Sequence, residues 1–216
     1  MSRWMDDAVE DYLTDLAGTE HSDPVLLEME ARAAEHGFPI VGRATGRYLE
    51  LAARSVGARR VMELGSGYGY SAYWFARAVG VSGTVVCTDA DPGNAQLAQR
   101  YLTEAGLWDR VGYRVGDALQ GFAAEPGAFD IVYCDVDKLG YPDCWRAASD
   151  RIRVGGLWLC DNVIWNGHAA TGTDRSNLPG ATAAIREHNR LVAEDDRYVS
   201  SIVPIRDGVM TALRVA

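Results

Sequence analysis

"VMELGSGYGYSAYWFA", residues 61–76, sets Gly65, Gly67 and Gly69 between a strand-like run that opens at Arg60 and a helix-like run rich in aromatics. Glycines at such a turn let the backbone approach a ligand closely, and the N-terminus of the following helix offers unpaired N–H groups to an anion. Dinucleotide folds use this position for a pyrophosphate, with an acid at the end of the second strand to accept ribose hydroxyls. Asp89, which ends "TVVCTD", supplies that acid. A glycine turn after a strand is also a common structural device, and an aspartate there also serves as a helix cap, so the motif by itself leaves both uses open.

The segments on either side repeat one rhythm. Strands are expected at 60–64, 84–88, 111–115, 129–134 and 155–160, with helices at 70–79, 92–105, 118–124 and 142–152 between them. Such alternation is the signature of an α/β domain whose mostly parallel sheet is covered on both faces. Upstream, apolar residues at helical spacing predict helices over 3–17, 23–36 and 43–56, a helical prelude (1–57) to an α/β core (58–216) in a single domain. Downstream, "NGHAATGTDRSNLPG" (166–180) reads as a polar loop. A helix follows at 181–193, then two strands at 198–204 and 208–214 whose short link at Asp207–Gly208 makes them antiparallel.

The 216 residues are 48% hydrophobic with a formal charge of -9, enough for one full core and repulsive toward nucleic acid and anionic membranes. The basic residues form no run longer than Arg59–Arg60. Four cysteines (Cys87, Cys134, Cys144, Cys160) contain no CxxC pair, and at least three of them lie in or beside apolar segments, so neither a disulfide framework nor a zinc cluster is expected. The acidic start "MSRWMDDAVEDYL" is unlike a signal peptide and no apolar run reaches spanning length, which points to a cytoplasmic protein with no membrane partner.

Two further strand ends carry oxygen-bearing side chains. Asp135 follows "FDIVYC", and Asp161 and Asn162 follow "GGLWLC". Parallel strands open at the same edge of a sheet, so these groups converge where open α/β sheets bind their ligands. Converging carboxylates repel unless a cation lies between them, and two carboxylates with an amide suit Mg²⁺ or another hard divalent cation better than zinc. Acids at strand ends also cap helices.

Taken together, these motifs resemble the class I S-adenosylmethionine-dependent methyltransferases. More narrowly, they are similar to the small metal-dependent O-methyltransferases of the catechol and caffeoyl-coenzyme A type. The likeness runs in order from "DPVLLEMEARAAEHGFPIVG" through "CTDADPGNAQLAQRYLTEAG", "VGDAL", "FDIVYCDVDKLGY" and "DNVIWNG" to "VPIRDGVMTALRV". It implies a Rossmann-like methyltransferase fold with a seven-stranded sheet, mostly parallel, closed by an antiparallel C-terminal strand. It further implies that Gly65, Gly67 and Gly69 hold the methionine part of S-adenosylmethionine, with Ser71 near its carboxylate and Glu63 in support. Asp89 would take the ribose, Gly116, Asp117 and Ala118 the adenine side, and Asp135 both cofactor and metal. Asp135, Asp161 and Asn162 fall on metal-ligand positions and Lys138 on that of the general base, where a nearby sulfonium and cation would favour its neutral form.

The resemblance implies a catechol-like aromatic acceptor, with coenzyme A thioesters, catechols, hydroxylated flavonoids and catechol-bearing natural-product intermediates all open, and a homodimer with the N-terminal helices as candidate contacts. Trp165 and Tyr141 are candidates for an aromatic wall against a flat acceptor. His168 after "WNG" and Arg47 in "TGRYL" depart from the family pattern and are further candidate acceptor contacts. An NAD-dependent oxidoreductase would use the same glycine turn and Asp89, but it gives Asp135, Asp161 and Asn162 no joint role. A nonenzymatic binding protein of this fold would need neither the metal positions nor Lys138, all of which are present.

Overall fold

Side chains of period two, buried on both sides, build the central strands. Along β4 (Phe129–Cys134), Ile131 and Tyr133 enter one core while Val132 and Cys134 enter the other; along β1 (Arg60–Leu64), Val61 faces the first core and Met62 and Leu64 the second. A computed structural model describes residues 6–17, 23–174 and 177–216. Seven strands form one sheet in the order β3-β2-β1-β4-β5-β7-β6, with β2 (Thr84–Asp89), β3 (Val111–Val115), β5 (Ile152–Cys160), β6 (Tyr198–Val203) and β7 (Val209–Arg214) completing it. The pairs among β1 to β5 are parallel, whereas β7 runs antiparallel to both β5 and β6.

Helices cover both faces. The first core takes buried residues from α2 (Pro24–His36), α3 (Gly42–Ser55), α4 (Tyr70–Val79) and α5 (Pro92–Glu104). The second takes them from α6 (Ala118–Ala124), α7 (Tyr141–Ala148) and α9 (Ala181–Ala193). Aspartates start several helices where the sequence leads one to expect caps: Asp23 Oδ1 accepts from Val25 N at 2.9 Å and Asp91 Oδ1 from Gly93 N at 2.7 Å, each just before a proline. The first helix, α1 (Asp7–Leu16), begins inside the expected span; residues 3–5 of that span, together with 18–22 and 175–176, lie outside the described residues. Among the described residues no helix is long and apolar enough to cross a membrane.

Two expectations are corrected. The helix over 142–152 ends at Ala148, passes through a short 3-10 turn at Ser149–Arg151 and gives way to β5 at Ile152. Tertiary partners decide this: Ile152 pairs with Phe129, Arg153 Nε reaches Asp130 Oδ1 at 2.5 Å, and Gly156 packs so closely that a Cβ would lie 2.6 Å from the Asp130 carbonyl oxygen. Within the loop 166–180, His168–Thr171 forms a short helix, α8, opened and closed by Gly167 and Gly172 in left-handed conformations.

The prelude is fastened by close packing of α3 on α4. A Cβ on Gly46 would overlap the indole of Trp74, itself 2% exposed. We expect Gly46→Ala to lower stability by about 1–3 kcal/mol in urea unfolding, the cost of overpacking a filled core. Gly112→Ala, with nothing within 4 Å of its added methyl, leaves the midpoint unchanged or slightly higher.

One ionisable group is built into β1. Glu63 is 0% exposed, and burial, against hydrogen bonds from Ser71, Ser66 and Cys87, pushes its carboxyl up to about 7 from 4.5. A carboxyl with a raised folded pKa holds its proton more tightly in the native state, so its contribution is full below pH 4.5 and is lost as pH climbs to about 7. The loss is roughly 3 kcal/mol. Glu63→Gln should therefore unfold at a higher temperature than wild type at pH 8, with the gap narrowing at pH 5; equal gaps at both pH values would contradict the burial of a titrating Glu63.

Candidate active site

The strand order reverses between β1 and β4, and open sheets bind ligands where such a reversal leaves a crevice at the carboxyl ends. Gly65 and Asp135 stand directly after those two strands. A Cβ on Gly65 would lie 2.5 Å from the Asp135 carbonyl oxygen, and its φ of +83 favours glycine independently. Ser66 N donates to Thr88 O at 2.8 Å and Gly67 N to Asp89 Oδ2 at 3.0 Å, which pins the glycine turn to β2. Tyr113 braces it from β3 by donating to the Gly67 carbonyl. Gly69, at φ +89, caps α4 without a side chain.

These groups line a cleft of about 790 Å³ that takes in Gly65, Gly67, Ser71, Asp89, Gly116, Asp117, Ala118, Asp135, Lys138, Asn162 and Trp165. Asp89 Oδ1 also receives Asp91 N and Asn94 Nδ2 at 2.9 and 3.0 Å, so Asp89 shapes the loop as well as facing the cleft. Asp117 caps α6 through Gln120 N at 2.8 Å while lining the same cleft.

Around Lys138 two oxygen-bearing side chains of the cleft meet, and the charge of a third, Asp161, is felt there. Lys138 Nζ donates to Asp135 Oδ1 at 3.0 Å, Asn162 Oδ1 at 2.8 Å and the Tyr141 hydroxyl at 2.6 Å. Burial alone would lower the Lys138 pKa, but the charges of Asp135 and Asp161 and the bond to Asp135 more than offset it, and the ammonium is held above its ordinary value. Asp161 is 0% exposed; burial, then the charge of Asp135, raises its carboxyl above the usual range despite Arg206 and Lys138. Arg206 Nη1 lies 2.9 Å from Asp161 Oδ2, whereas Asp161 Oδ1 is buried with no hydrogen-bond partner among the described residues. An unpartnered buried carboxylate oxygen is costly unless something else meets it. Two carboxylates and an amide around one point are the donor set of a hard divalent cation, so the residues present fit such an ion.

Not every candidate reaches this cleft. Tyr141 is fully buried; its hydroxyl donates to Asp161 O at 2.8 Å and accepts from Lys138, so it supports the base position and presents no ring to an acceptor. Arg47 turns away: it donates to Ala17 O, pairs with Glu50 at 3.4 Å and lies 5.5 Å over the Trp74 ring. Glu63 sits beneath the glycine turn, within the hydrogen-bond reach of Ser71 and Ser66. His168 starts α8 outside the cleft lining, while Trp165 lines the cleft with φ 55.

Arg206, Asp207, Asn166 and the segment Phe38–Val41 also line the cleft, although none of them was singled out as a site residue from the sequence. The one usable signal was "IRDG", a charged pair inside a strand-joining turn directly opposite the "DNVIWNG" segment.

Comparison with known proteins agrees with this geometry. The family model described as O-methyltransferase matches residues 19–215. A catechol O-methyltransferase of Niastella koreensis is 30% identical over 224 aligned residues, covering 99% of each chain. Among solved structures, an O-methyltransferase from Bacillus cereus in complex with SAH superposes with a TM-score of 0.84 at 29% identity, covering 96% of this chain and 97% of that one. TomG from Streptomyces achromogenes, an O-methyltransferase involved in tomaymycin synthesis and solved in complex with SAM, gives 0.86 at 26% identity with both chains fully covered. With a glycine turn at the switch point, an oxygen cluster at the strand ends and a family match spanning nearly its whole length, the chain belongs to the O-methyltransferase family.

Proposed function

We propose that this O-methyltransferase moves the methyl group of S-adenosylmethionine to one hydroxyl of a catechol-like small aromatic acceptor, with Mg²⁺ or another hard divalent cation held by Asp135, Asp161 and Asn162. The observation that carries it is that Asp135 and Asn162 both accept from Lys138 in the cleft that contains the glycine turn, with Asp161 near enough to feel the charge of Asp135 and its buried Oδ1 unpartnered among the described residues. The names of the catechol O-methyltransferase relative and of the SAM- and SAH-bound neighbours support the same chemistry.

In this proposal the turn from Gly65 to Gly69 takes the methionine part of the cofactor, and Ser71, at the start of α4, offers its hydroxyl to the carboxylate. Glu63 supports the turn from below. Asp89 accepts the ribose hydroxyls, and Gly116, Asp117 and Ala118 lie along the adenine. A bound cation would hold the acceptor oxygens and lower the pKa of the attacking hydroxyl. In its neutral form Lys138 receives the acceptor proton at Nζ, and Tyr141 holds that amine in place from behind. Trp165, buried at the cleft wall, is placed to lie against a flat ring. Chemistry here is mostly positioning: methyl carbon and acceptor oxygen must be held in line within the same cleft.

The acceptor is a small molecule rather than nucleic acid, in keeping with the charge of -9. The proposal extends to a cytoplasmic homodimer contacting through the N-terminal helices, a role that the exposed Val9, Tyr12 and Leu16 of α1 suit. An NAD-dependent oxidoreductase is not favoured, because it leaves the oxygen cluster without a use.

Methyl transfer to catechol and to caffeoyl-coenzyme A, followed with Mg²⁺ and with EDTA, tests the proposal. Product should form with Mg²⁺, vanish with EDTA and return on adding metal. Lys138→Met should lower kcat by about 10²–10⁴-fold, the usual worth of a general base, while calorimetry shows unchanged binding of S-adenosylhomocysteine. Transfer that proceeds at full rate in EDTA would remove the cation from the proposal, and thermal stabilisation by NAD but not by S-adenosylmethionine would remove the reaction.

A further inference from the structure

We infer that Arg206 is a positioning residue that keeps the affinity of the Asp135, Asp161 and Asn162 site for a divalent cation low until an acceptor arrives with negative charge of its own. The inference rests on the metal-dependent reading above.

Arg206 occupies the link between β6 and β7 with φ 50, a left-handed conformation that side chains other than glycine and asparagine seldom adopt. Its neighbours impose that placement. Gly208 N donates to Ile205 O at 2.8 Å, closing the link, while Val163 N and Ile164 N donate to the carbonyls of Gly208 and Asp207 at 3.1 and 2.9 Å. Asn166 N reaches Asp207 Oδ1 at 2.5 Å. The link is thus stitched to the segment that follows β5, and the arginine is presented to Asp161 against its own backbone preference. Such local strain persists where the surroundings over-determine it, and it concentrates at functional sites.

The guanidinium takes one oxygen of a carboxylate that is 0% exposed and leaves the other, Oδ1, buried with no hydrogen-bond partner among the described residues. Two effects oppose each other for an incoming cation. Fixing Oδ2 orients Asp161, which favours binding; placing a full positive charge one carboxylate away from a dication opposes it. Orientation is already secured by complete burial and by Asp161 N donating to Cys134 O at 3.1 Å, so the repulsion, acting through a carboxylate that is 0% exposed, is the larger effect. With Lys138 bonded to Asp135 and Arg206 to Asp161, two cations already balance two carboxylates. A dication gains its full attraction only when the acceptor's hydroxyl gives up its proton beside it.

Mn²⁺ binding to the protein with S-adenosylhomocysteine and no acceptor, read from the electron paramagnetic resonance of free Mn²⁺, tests this without turnover. Arg206→Gly suits the φ of 50, so it keeps the fold while removing the charge. We expect it to bind Mn²⁺ at least about tenfold more tightly than wild type, and Arg206→Lys, which keeps the charge, to bind as wild type does. Equal or weaker binding by Arg206→Gly would overturn the inference while leaving the metal site standing. Mn²⁺ binding that Asp161→Asn leaves intact would overturn the metal site itself, and the inference with it.

Discussion

The contact of Gly65 with the backbone of Asp135 is the constraint on which the site depends. The two residues follow adjacent parallel strands at the point where the sheet order reverses, and no side chain fits between them. That contact brings the glycine turn alongside the first of the oxygens proposed to hold a cation. From it the remaining geometry follows in steps along the sheet edge. Asp135 N donates to Leu64 O and Asp161 N to Cys134 O, each strand handing its successor's side chain to the same cleft.

Charge governs what that cleft can do. Asp135 and Asp161 stand close enough to raise the Asp161 carboxyl, and burial sharpens their repulsion. Lys138 and Arg206 relieve it, each bonded to one carboxylate. Carboxylates in turn hold the Lys138 ammonium charged, so a lysine placed as a proton acceptor is not one while it is paired in this way. Any positive charge brought to the same oxygens loosens that pairing. In the proposed reaction, proton transfer by Lys138 and occupation of the oxygen cluster by a cation are therefore coupled by electrostatics.

Much of the fold was legible in the sequence because its signals are local. The apolar runs of β1 and β4 and the glycine turn each depend on residues close together in the chain. The end of α7 was not legible: Ile152 and Arg153 belong to β5 because of Phe129 and Asp130, which lie more than twenty positions upstream. Candidate site residues divide in the same way. Asp89, Asp135 and Asn162, at strand ends, line the cleft because strand direction sends them there, while Asp161 is buried beneath it. Arg47, Tyr141 and His168 do not line it, because the direction of a helical or loop side chain is set by tertiary partners such as Glu50, Trp74 and Asp161. Arg206 escaped notice for the converse reason: its turn looks like an ordinary hairpin link, and only the stitching to residues 163–166 shows where it points.

The central claim is that Asp135, Asp161 and Asn162 form one cation site beside the methyl donor. Anomalous diffraction from crystals grown with Mn²⁺, S-adenosylhomocysteine and catechol tests it most directly. The account predicts a single manganese peak bonded to oxygens of all three side chains, with the Lys138 amine moved off Asp135 and Asn162. A peak elsewhere, or none while catechol and the cofactor product occupy the cleft, would contradict it.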